Sequence, residues 1–311
     1  MIWLWLILAA VIATPLVIEY RRRVMDDVAR GSAPGQFVEL SNGVTHFQWF
    51  GPERGPVVVC VHGLTTPSFV WRSIARALAG AGYRVLTYDL YGRGYSDRPR
   101  GKQDRVFFIQ QLTELLAVEG VEDDLTLVGY SMGGAIATTF AATYPARMKR
   151  LILLAPAGMV PKNGGLLGFI KRTPGVGDWL FLALYPRMQR KGIRAEERLP
   201  TSVPNITRLQ AAELENRGYL RAILASLRGI LSDRLEAQHR KIAAHGIPVL
   251  AIWGREDRVI PATSVGALAE WNRHAQHETI EGAGHGLTYT HTDAVLRHMR
   301  GFMETPADRL D

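Results

Sequence analysis

Residues 129–134 read Gly-Tyr-Ser-Met-Gly-Gly and place Ser131 at the centre of a G-x-S-x-G pattern. An apolar run at residues 125–128 precedes the pattern, and a helical pattern at residues 132–144 follows it. A serine between a buried strand and a helix stands at a sharp turn, and the glycines two positions before and after it leave room for that turn. The alternative interpretation is a glycine turn whose serine only caps the helix. The flanking strand and helix favour Ser131 as a catalytic nucleophile.

Short apolar runs alternate with helical patterns on both sides of this turn. The apolar runs lie at residues 57–61, 84–88, 125–128 and 151–154, and the helical patterns between them lie at residues 71–79, 107–119 and 132–144. Strands that alternate with helices are typical of a parallel sheet with helices on both faces. Asn42-Gly43 separates two earlier strand-like runs and indicates a hairpin before the parallel strands. We therefore predict an α/β fold with a mostly parallel sheet.

The alternation stops after residue 157 and resumes at residues 249–253. The intervening segment contains glycine-rich loops and amphipathic helical patterns without a strand-like run. We interpret residues 158–238 as a helical lid that is inserted into an α/β core formed by residues 36–157 and 239–311.

The N-terminal segment, residues 1–20, is apolar and carries no ionisable side chain before Glu19. As a helix it would rise about 28 Å, close to the hydrocarbon thickness of a bilayer. Trp3 and Trp5 at one end and the arginines at residues 21–23 at the other end suit the two membrane interfaces. A cleaved signal peptide is disfavoured because no Lys or Arg precedes the apolar run, and a buried core helix is disfavoured because no face of the helix is polar.

We interpret residues 1–20 as a single transmembrane anchor and residues 21–35, which end in Gly-Ser-Ala-Pro-Gly, as a linker. Basic segments next to a membrane span tend to stay in the cytoplasm. The arginines at residues 21–23 therefore predict a single-pass membrane protein whose catalytic domain faces the cytoplasm. The alternative is that these arginines only end the helix.

The basic excess of the chain is concentrated in the predicted lid. The whole chain has 37 Lys and Arg against 29 Asp and Glu, a net charge of +8. Residues 158–245 contain 15 of the basic and 7 of the acidic residues, so this segment accounts for the whole excess. Signatures of RNA binding do not accompany it, and we do not expect a nucleic-acid partner. An anionic lipid surface and a solvated helical face would both accommodate this charge.

Composition restricts the other kinds of site. With 311 residues, of which 47% are hydrophobic, the chain can bury a large core. Cys60 is the single cysteine, which excludes an internal disulfide and a cysteine-built metal site. We expect neither a metal nor an organic cofactor. Most of the nine histidines, among them His46 and His239, are expected to be exposed or hydrogen-bonded.

A serine nucleophile needs a base, and the base needs an acid that orients it. His285 lies in the glycine-flanked loop Gly-Ala-Gly-His-Gly directly after a strand-like run, where it can reach the carboxyl ends of the sheet. Glu256 and Asp257 follow the apolar run at residues 249–253, and either carboxylate could orient the imidazole. The order Ser131, acid, His285 is the order expected of one particular fold.

The transition state of acyl transfer needs two N–H donors at its oxyanion. One donor is expected from Met132, the residue after the nucleophile. The other is expected from Leu64, in the loop after the apolar run at residues 57–61, where Gly63 lets the backbone approach closely. We interpret His62 as a strut that hydrogen-bonds beneath this loop.

These residues together resemble the α/β-hydrolase fold superfamily over about residues 37–303. The matching motifs are V-H-G-L at residues 61–64, D-L-Y-G-R-G-Y-S at 89–96, G-Y-S-M-G-G at 129–134, W-G-R-E-D-R-V-I-P at 253–261 and G-A-G-H-G at 282–286. The resemblance implies that Ser131 is the nucleophile, that His285 is the base and that Asp257, of the two adjacent carboxylates, is the acid. It also implies that the lid follows the sixth strand.

The nucleophile residue separates activities within this superfamily. Haloalkane dehalogenases and soluble epoxide hydrolases have an aspartate at the nucleophile position, where this chain has Ser131. The apolar N-terminus, the serine turn and the stretch Ala-Pro-Ala-Gly-Met at residues 155–159 are most similar to membrane-anchored monoacylglycerol lipases. The resemblance also implies that Asp89 and Ser96 hold a turn and take no part in the chemistry.

We therefore expect a membrane-anchored serine hydrolase that cleaves carboxylic esters of lipid-like substrates, such as monoacylglycerols or lysophospholipids, through an acyl-enzyme on Ser131. Leu166, Phe169 and Trp179 in the lid are candidate substrate-binding residues, and ordinary lid packing is the alternative. The motif at residues 253–261 is equally similar to carbon–carbon bond hydrolases of aromatic ring cleavage, and a thioesterase is a further alternative. Outside the enzymes, the alternative is a catalytically silent membrane-bound binding protein.

Overall fold

The computed structural model describes residues 1–160 and 164–305, and an eight-stranded sheet lies at its centre. The strands are β1 Gln36–Leu40, β2 Gly43–Phe50, β3 Val57–Val61, β4 Arg84–Tyr88, β5 Leu125–Tyr130, β6 Met148–Leu154, β7 Val249–Gly254 and β8 Gln276–Ile280. Their order across the sheet is β1-β2-β4-β3-β5-β6-β7-β8. β2 pairs antiparallel with β1 and β4, and the remaining pairs are parallel. The predicted α/β architecture is confirmed.

The described residues form thirteen α-helices, several of which cover the two faces of this sheet. They are α1 Ile2–Arg21, α2 Asp27–Arg30, α3 Arg72–Gly80, α4 Arg105–Val118, α5 Met132–Thr143, α6 Gly165–Arg172, α7 Val176–Glu196, α8 Ile206–Glu213, α9 Tyr219–Arg228, α10 Glu236–Ala244, α11 Thr263–Trp271, α12 Leu287–Thr290 and α13 Thr292–Glu304. α4, α5, α10 and α11 share a hydrophobic cluster with one face, and α3, α12 and α13 share a second cluster with the other. Alternate residues of β3 belong to the two clusters, which explains why its run lacks polar residues.

The lid helices α6 to α9 follow β6 and pack around a hydrophobic cluster of their own. This cluster consists of Ile170, Phe181, Leu214, Tyr219, Leu220, Ile223 and Leu224. The predicted end of the lid at residue 238 falls inside α10, so the lid and the core do not separate at that residue. Leu235 and Ile242 are buried in the same cluster as α5, so the core resumes at the start of α10.

α1 is a 20-residue apolar helix, and most of its side chains are exposed. It is long and apolar enough to span a membrane, and a signal sequence has the same length and composition. The segment that follows is not a free linker, because its main chain pairs with the turn between α8 and α9. The N–H of Arg23 donates to the carbonyl of Glu215 at 3.0 Å, and the N–H of Arg217 donates to the carbonyl of Arg23 at 2.8 Å.

His239 in α10 does not fit the expectation of an exposed or hydrogen-bonded histidine. It is fully buried beside Trp271, with 6.0 Å between the ring centroids. Neither ring nitrogen has a hydrogen-bond partner within residues 1–160 and 164–305. Burial lowers the pKa of His239 to about 3. The expectation fails here because the packing of α10 on α11 replaces water around the ring with apolar side chains.

We expect acid to destabilise the protein through His239. Its pKa in the folded state lies below the value of about 6.5 in the unfolded chain. The unfolded chain therefore takes up the proton first, and the free energy of unfolding falls as the pH drops from about 6.5 toward 3. At pH 4.5 the loss from one such group is about 2–3 kcal/mol.

Urea unfolding at pH 7.5 and pH 4.5 measures this effect. His239→Phe should flatten the acid dependence, whereas His245→Gln, at an exposed histidine directly after the same helix, should leave it unchanged. Equal acid dependence of the wild type and His239→Phe would contradict the assignment.

Candidate active site

Ser131 stands at the turn between β5 and α5 in a strained backbone conformation. Its φ is +53° and its ψ is −117°, a combination that residues with a side chain rarely adopt. The N–H of Ser131 donates to the carbonyl of Leu154 at 2.9 Å, and its carbonyl accepts from the N–H of Ala157 at 3.0 Å. β6 and the loop after it therefore hold the turn in place, which is the conformation that the G-x-S-x-G pattern predicts.

The glycines around Ser131 permit a close approach of α5 to the sheet. A Cβ atom at Gly133 would collide with the main-chain oxygens of Val61 and His62, and a Cβ atom at Gly129 would collide with the main chain of Gly133. The start of α5 therefore packs directly against the backbone of β3 and β5. This contact fixes the position of Ser131 above the carboxyl ends of the parallel strands.

Three side chains from distant parts of the chain meet at this edge of the sheet. His285 lies in the loop between β8 and α12, and its Nε2 is 3.0 Å from the Oγ of Ser131. Its Nδ1 is 2.8 Å from Oδ2 of Asp257, which follows β7. The hydroxyl of Tyr130 donates to the main-chain carbonyl of His285 at 3.0 Å and holds the loop in position.

Asp257 is held as a carboxylate by its surroundings. Its Oδ1 accepts from the N–H groups of Val259 at 2.7 Å and Ile260 at 2.9 Å. Burial alone would raise the pKa of Asp257, but hydrogen bonds from His285 and these two N–H groups outweigh burial and hold the pKa below its usual value. Glu256 is exposed. The structure thus places Asp257 beside the imidazole, in agreement with the family resemblance.

This arrangement can activate a hydroxyl group. A proton on the Oγ of Ser131 can pass along a short hydrogen bond to the Nε2 of His285, and the carboxylate of Asp257 stabilises the imidazolium that results. Residues 1–160 and 164–305 contain no group of three His, Cys, Asp or Glu side chains that could hold a metal ion.

The loop after β3 lies beside the serine as predicted. Leu64 lines the same cavity as the serine hydroxyl, and Met132 is the buried first residue of α5. His62 donates from Nδ1 to the carbonyl of Gly63 at 2.7 Å and accepts at Nε2 from the N–H of Leu90 at 2.9 Å. Burial lowers the pKa of His62 to about 4, so the ring is a neutral strut beneath the loop.

Arg93 supports this loop, although it was not among the predicted site residues. It is fully buried, and its Nε donates to the carbonyl of Leu64 at 3.1 Å. The other guanidinium nitrogens donate to Gln103 Oε1 at 2.6 Å and to Ser226 Oγ, in the lid helix α9, at 2.7 Å. Burial lowers the pKa of Arg93 to about 10. Arg93 therefore connects the loop beside the nucleophile to the lid.

Asp89 and Ser96 hold a turn next to Arg93, as the resemblance implies. The carboxylate of Asp89 accepts from the N–H groups of Ser68 at 2.8 Å and Tyr95 at 2.9 Å, and it lies 2.7 Å from Nδ1 of His46. The hydroxyl of Ser96 donates to the main-chain carbonyl of Asp89 at 2.6 Å. Neither residue faces the cavity that contains the serine.

A cavity of about 380 Å³ opens above the serine and the histidine. Its lining is mainly apolar and includes Leu64, Tyr130, Met159, Val160, Leu167, Tyr185, Leu227, Leu231, Val259 and Ile260. Polar groups in the lining are Thr65, Thr66, Ser131, Lys171, Ser264 and His285. Lid helices and core loops therefore enclose the reactive hydroxyl in a mostly apolar space.

The three predicted substrate-binding residues do not line this cavity. Leu166 and Phe169 are 51% and 45% exposed on the outer face of α6, whereas Leu167 and Lys171, four residues apart, face the cavity. The indole of Trp179 instead donates to a carbonyl of α1. The apolar composition of the lid identified the right helices, but it did not fix which face of each helix points inward.

The fold agrees with comparisons to known proteins. Residues 56–292 match the family model described as alpha/beta hydrolase fold, and the chain belongs to this family and is a hydrolase. Lipase 1 of Psychrobacter immobilis is 29% identical over 256 residues, which cover 76% of this chain and 73% of the lipase. A 2-hydroxymuconate semialdehyde hydrolase of Pseudomonas sp. strain CF600 is 30% identical over 232 residues, which cover 71% of this chain and 76% of that enzyme.

Solved structures show the same fold. The crystal structure of a membrane phospholipase A, described as a novel bacterial virulence factor, superposes with a TM-score of 0.70 and 23% identity. The match covers 97% of this chain and 96% of that chain. At this level of identity the likeness shows the fold alone.

The close packing of α5 predicts a strong effect of one added methyl group. Gly133→Ala should lower the free energy of unfolding by about 3 kcal/mol or more, because the new Cβ would collide with the backbone of β3. Gly192→Ala in α7 is the matched control, since no heavy atom lies within 4 Å of its added Cβ. The control should be neutral or stabilise by up to about 1 kcal/mol. Thermal melts of both variants test this, and similar melting temperatures would refute the packing argument.

Proposed function

We propose that this chain is a membrane-attached serine hydrolase that cleaves carboxylic esters of lipid-like substrates, such as monoacylglycerols or lysophospholipids. The observation that carries the proposal is the chain of hydrogen bonds from Ser131 through His285 to Asp257. Ser131 and His285 line a mostly apolar cavity. This combination supplies an activated hydroxyl and a space suited to an acyl chain.

In the proposed mechanism the Oγ of Ser131 attacks the acyl carbonyl while Nε2 of His285 takes the hydroxyl proton. Asp257 orients the imidazole and stabilises its charge. The N–H groups of Leu64 and Met132 donate to the oxyanion of the tetrahedral intermediate. The C–O bond of the ester then breaks, and the alcohol leaves with the proton from His285.

The acyl group remains on Ser131 as an ester after this step. A water molecule gives a proton to His285 and attacks the acyl carbonyl, and a second tetrahedral intermediate forms. Its collapse returns the proton to the serine oxygen and releases the fatty acid. All protons and acyl groups balance without a metal or an organic cofactor.

The lipid-like substrate is supported by the lining of the cavity and by relatives. Met159, Leu167, Leu227 and Leu231 present apolar side chains to a space of about 380 Å³, within the usual range for small-molecule sites. Lipase 1, by its name, acts on lipid esters, and it aligns over most of this chain.

A carbon–carbon bond hydrolase is the second candidate. The 30% identity to a 2-hydroxymuconate semialdehyde hydrolase favours it, and the two reactions can share a serine, histidine and aspartate site. The apolar lining and the long apolar α1 favour the lipid ester instead. A catalytically silent binding protein is disfavoured, because the hydrogen bonds that would activate Ser131 are intact.

Membrane attachment through α1 is part of the proposal. The helix has the length and hydropathy of a span, and its apolar side chains are exposed to the surroundings. The arginines at residues 21–23 support an orientation with the catalytic domain on the cytoplasmic side.

A fluorophosphonate probe and a series of p-nitrophenyl esters test the chemistry. The wild type should be labelled, and its activity should rise from short to medium acyl chains and exceed that on a ring-cleavage dienone. Ser131→Ala should abolish labelling and lower kcat by on the order of 10⁴-fold or more.

Ser264→Ala is the matched control, because Ser264 is buried and lines the same cavity without contacting the histidine. This variant should keep its labelling. A labelled Ser131→Ala protein, or an unlabelled wild type, would refute the nucleophile. Turnover of the dienone in preference to every ester would favour the second candidate.

A further inference from the structure

A second groove, whose lining shares no residue with the cavity of the serine, lies between α1 and the lid helix α7. We call it the α1–α7 groove; its volume is about 770 Å³. At one end the indole of Trp179 donates to the carbonyl of Ile12 at 2.9 Å. At the other end Glu215 accepts from the side chain of Arg190 at 2.9 Å and from the N–H of Arg23 at 3.0 Å. The two segments therefore run in the same direction, side by side, over about 16 Å.

Contacts beyond this groove hold α1 in place against the lid. Pro15 of α1 has no N–H to donate to the carbonyl of Val11, four residues before it. One helical turn later, Glu19 is buried and accepts from the N–H of Gly218, at the start of α9, at 2.7 Å. Specific hydrogen bonds at both ends of the groove, and the bond from Gly218 to Glu19, therefore fix α1 against the lid.

The walls of the groove change character along its length. From Trp179 to the middle of the groove the walls are mostly apolar: Val11 and Ile18 of α1 and Leu182 of α7 line them, together with Thr14. The other half is cationic and is formed by Arg21, Arg22, Arg187 and Arg190. An apolar slot with a positive end matches an acyl chain that carries a negative headgroup.

The charge at the cationic end exceeds what the neighbouring carboxylates neutralise. Arg22 pairs with Glu19 at 2.6 Å, and Arg190 pairs with Glu215 at 2.9 Å. Four guanidinium groups therefore face two carboxylates, which leaves two positive charges. Guanidinium groups bind phosphate oxyanions through paired, charge-assisted hydrogen bonds, so a phosphate headgroup suits this surplus of positive charge.

We propose that the α1–α7 groove binds one anionic glycerophospholipid of the membrane. An acyl chain lies between Ile18 and Leu182, and the phosphate contacts Arg21, Arg187 and Arg190. This proposal rests on the membrane attachment in the proposed function, but not on the chemistry of the serine.

The position of the groove supports a lipid as its occupant. The apolar half is continuous with the exposed side chains of α1, the one helix of the described ranges that is long and apolar enough to cross a membrane. The basic end lies where this helix ends, at the level of a headgroup. A lipid in this groove would contact α1 and α7 at once and would tie the lid to the membrane.

Photolabelling of the full-length chain in nanodiscs tests the proposal. The discs consist of phosphatidylcholine with a small fraction of phosphatidylglycerol that carries a diazirine in one acyl chain, and mass spectrometry maps the labelled peptides. We expect labels on both α1 and α7. A phosphatidylcholine probe should label α7 several-fold less. Labels confined to α1, or equal labelling of α7 by both probes, would overturn the proposal.

Variants test the phosphate contacts. The double variant Arg187→Gln/Arg190→Gln should raise the probe fraction needed for half-maximal labelling of α7 roughly 25-fold, about fivefold for each arginine. Arg297→Gln/Arg300→Gln is the matched control, an exposed pair with the same spacing on α13, and it should change nothing. Unchanged labelling in the first variant would overturn the phosphate assignment.

The acyl contact is tested without a change in charge. Ala183→Trp should fill the apolar half of the groove and abolish labelling of α7, while Ala269→Trp, at an exposed position on α11, should leave it intact. Persistent labelling in Ala183→Trp would overturn the acyl site.

Hydrolysis of p-nitrophenyl butyrate in the same samples separates the two proposals. Normal hydrolysis with an unlabelled α7 overturns the lipid site and leaves the serine hydrolase intact. A labelled α7 without hydrolysis supports the lipid site and counts against the serine hydrolase.

Discussion

His285 is hydrogen-bonded on both ring nitrogens, at 3.0 Å to the serine hydroxyl and at 2.8 Å to the carboxylate of Asp257. A lone serine is a weak nucleophile at neutral pH, so the proposed chemistry depends on this pair of contacts. The rest of the core serves to bring the three residues together. The three residues follow β5, β7 and β8, whose carboxyl ends lie at one edge of the sheet. The close packing of α5 against the sheet places Ser131 within hydrogen-bonding distance of the imidazole.

The lid is joined to this core by buried polar contacts as well as by apolar packing. Arg93 donates hydrogen bonds to the loop beside the nucleophile and to the lid helix α9. Glu19 of α1 accepts a hydrogen bond from the start of the same helix. α1, the lid and the loop beside the serine therefore form one connected structure. This arrangement differs from the linker that the ending Gly-Ser-Ala-Pro-Gly had predicted for residues 21–35.

Much of the fold, Ser131 and His285 could be predicted from the sequence, because glycines, turns and buried strands leave local signals. Local signals did not distinguish Asp257 from Glu256, and the family resemblance made that choice. The inward face of the lid could not be predicted, since Leu166 and Leu167 have the same composition signal and only packing distinguishes them. The burial of Arg93 and of His239 could not be predicted for a related reason. Burial of a polar side chain depends on elements that are distant in the chain, and the neighbouring residues carry no sign of it.

The choice of Asp257 over its neighbour Glu256 tests the central claim most directly. The kcat for p-nitrophenyl butyrate should be measured for Asp257→Asn and for Glu256→Gln. We expect a loss of on the order of 10⁴-fold for Asp257→Asn, because the amide holds the imidazole in the wrong tautomer, and a change within about twofold for the exposed Glu256→Gln. Full activity in Asp257→Asn, or an equal loss in both variants, would contradict the account.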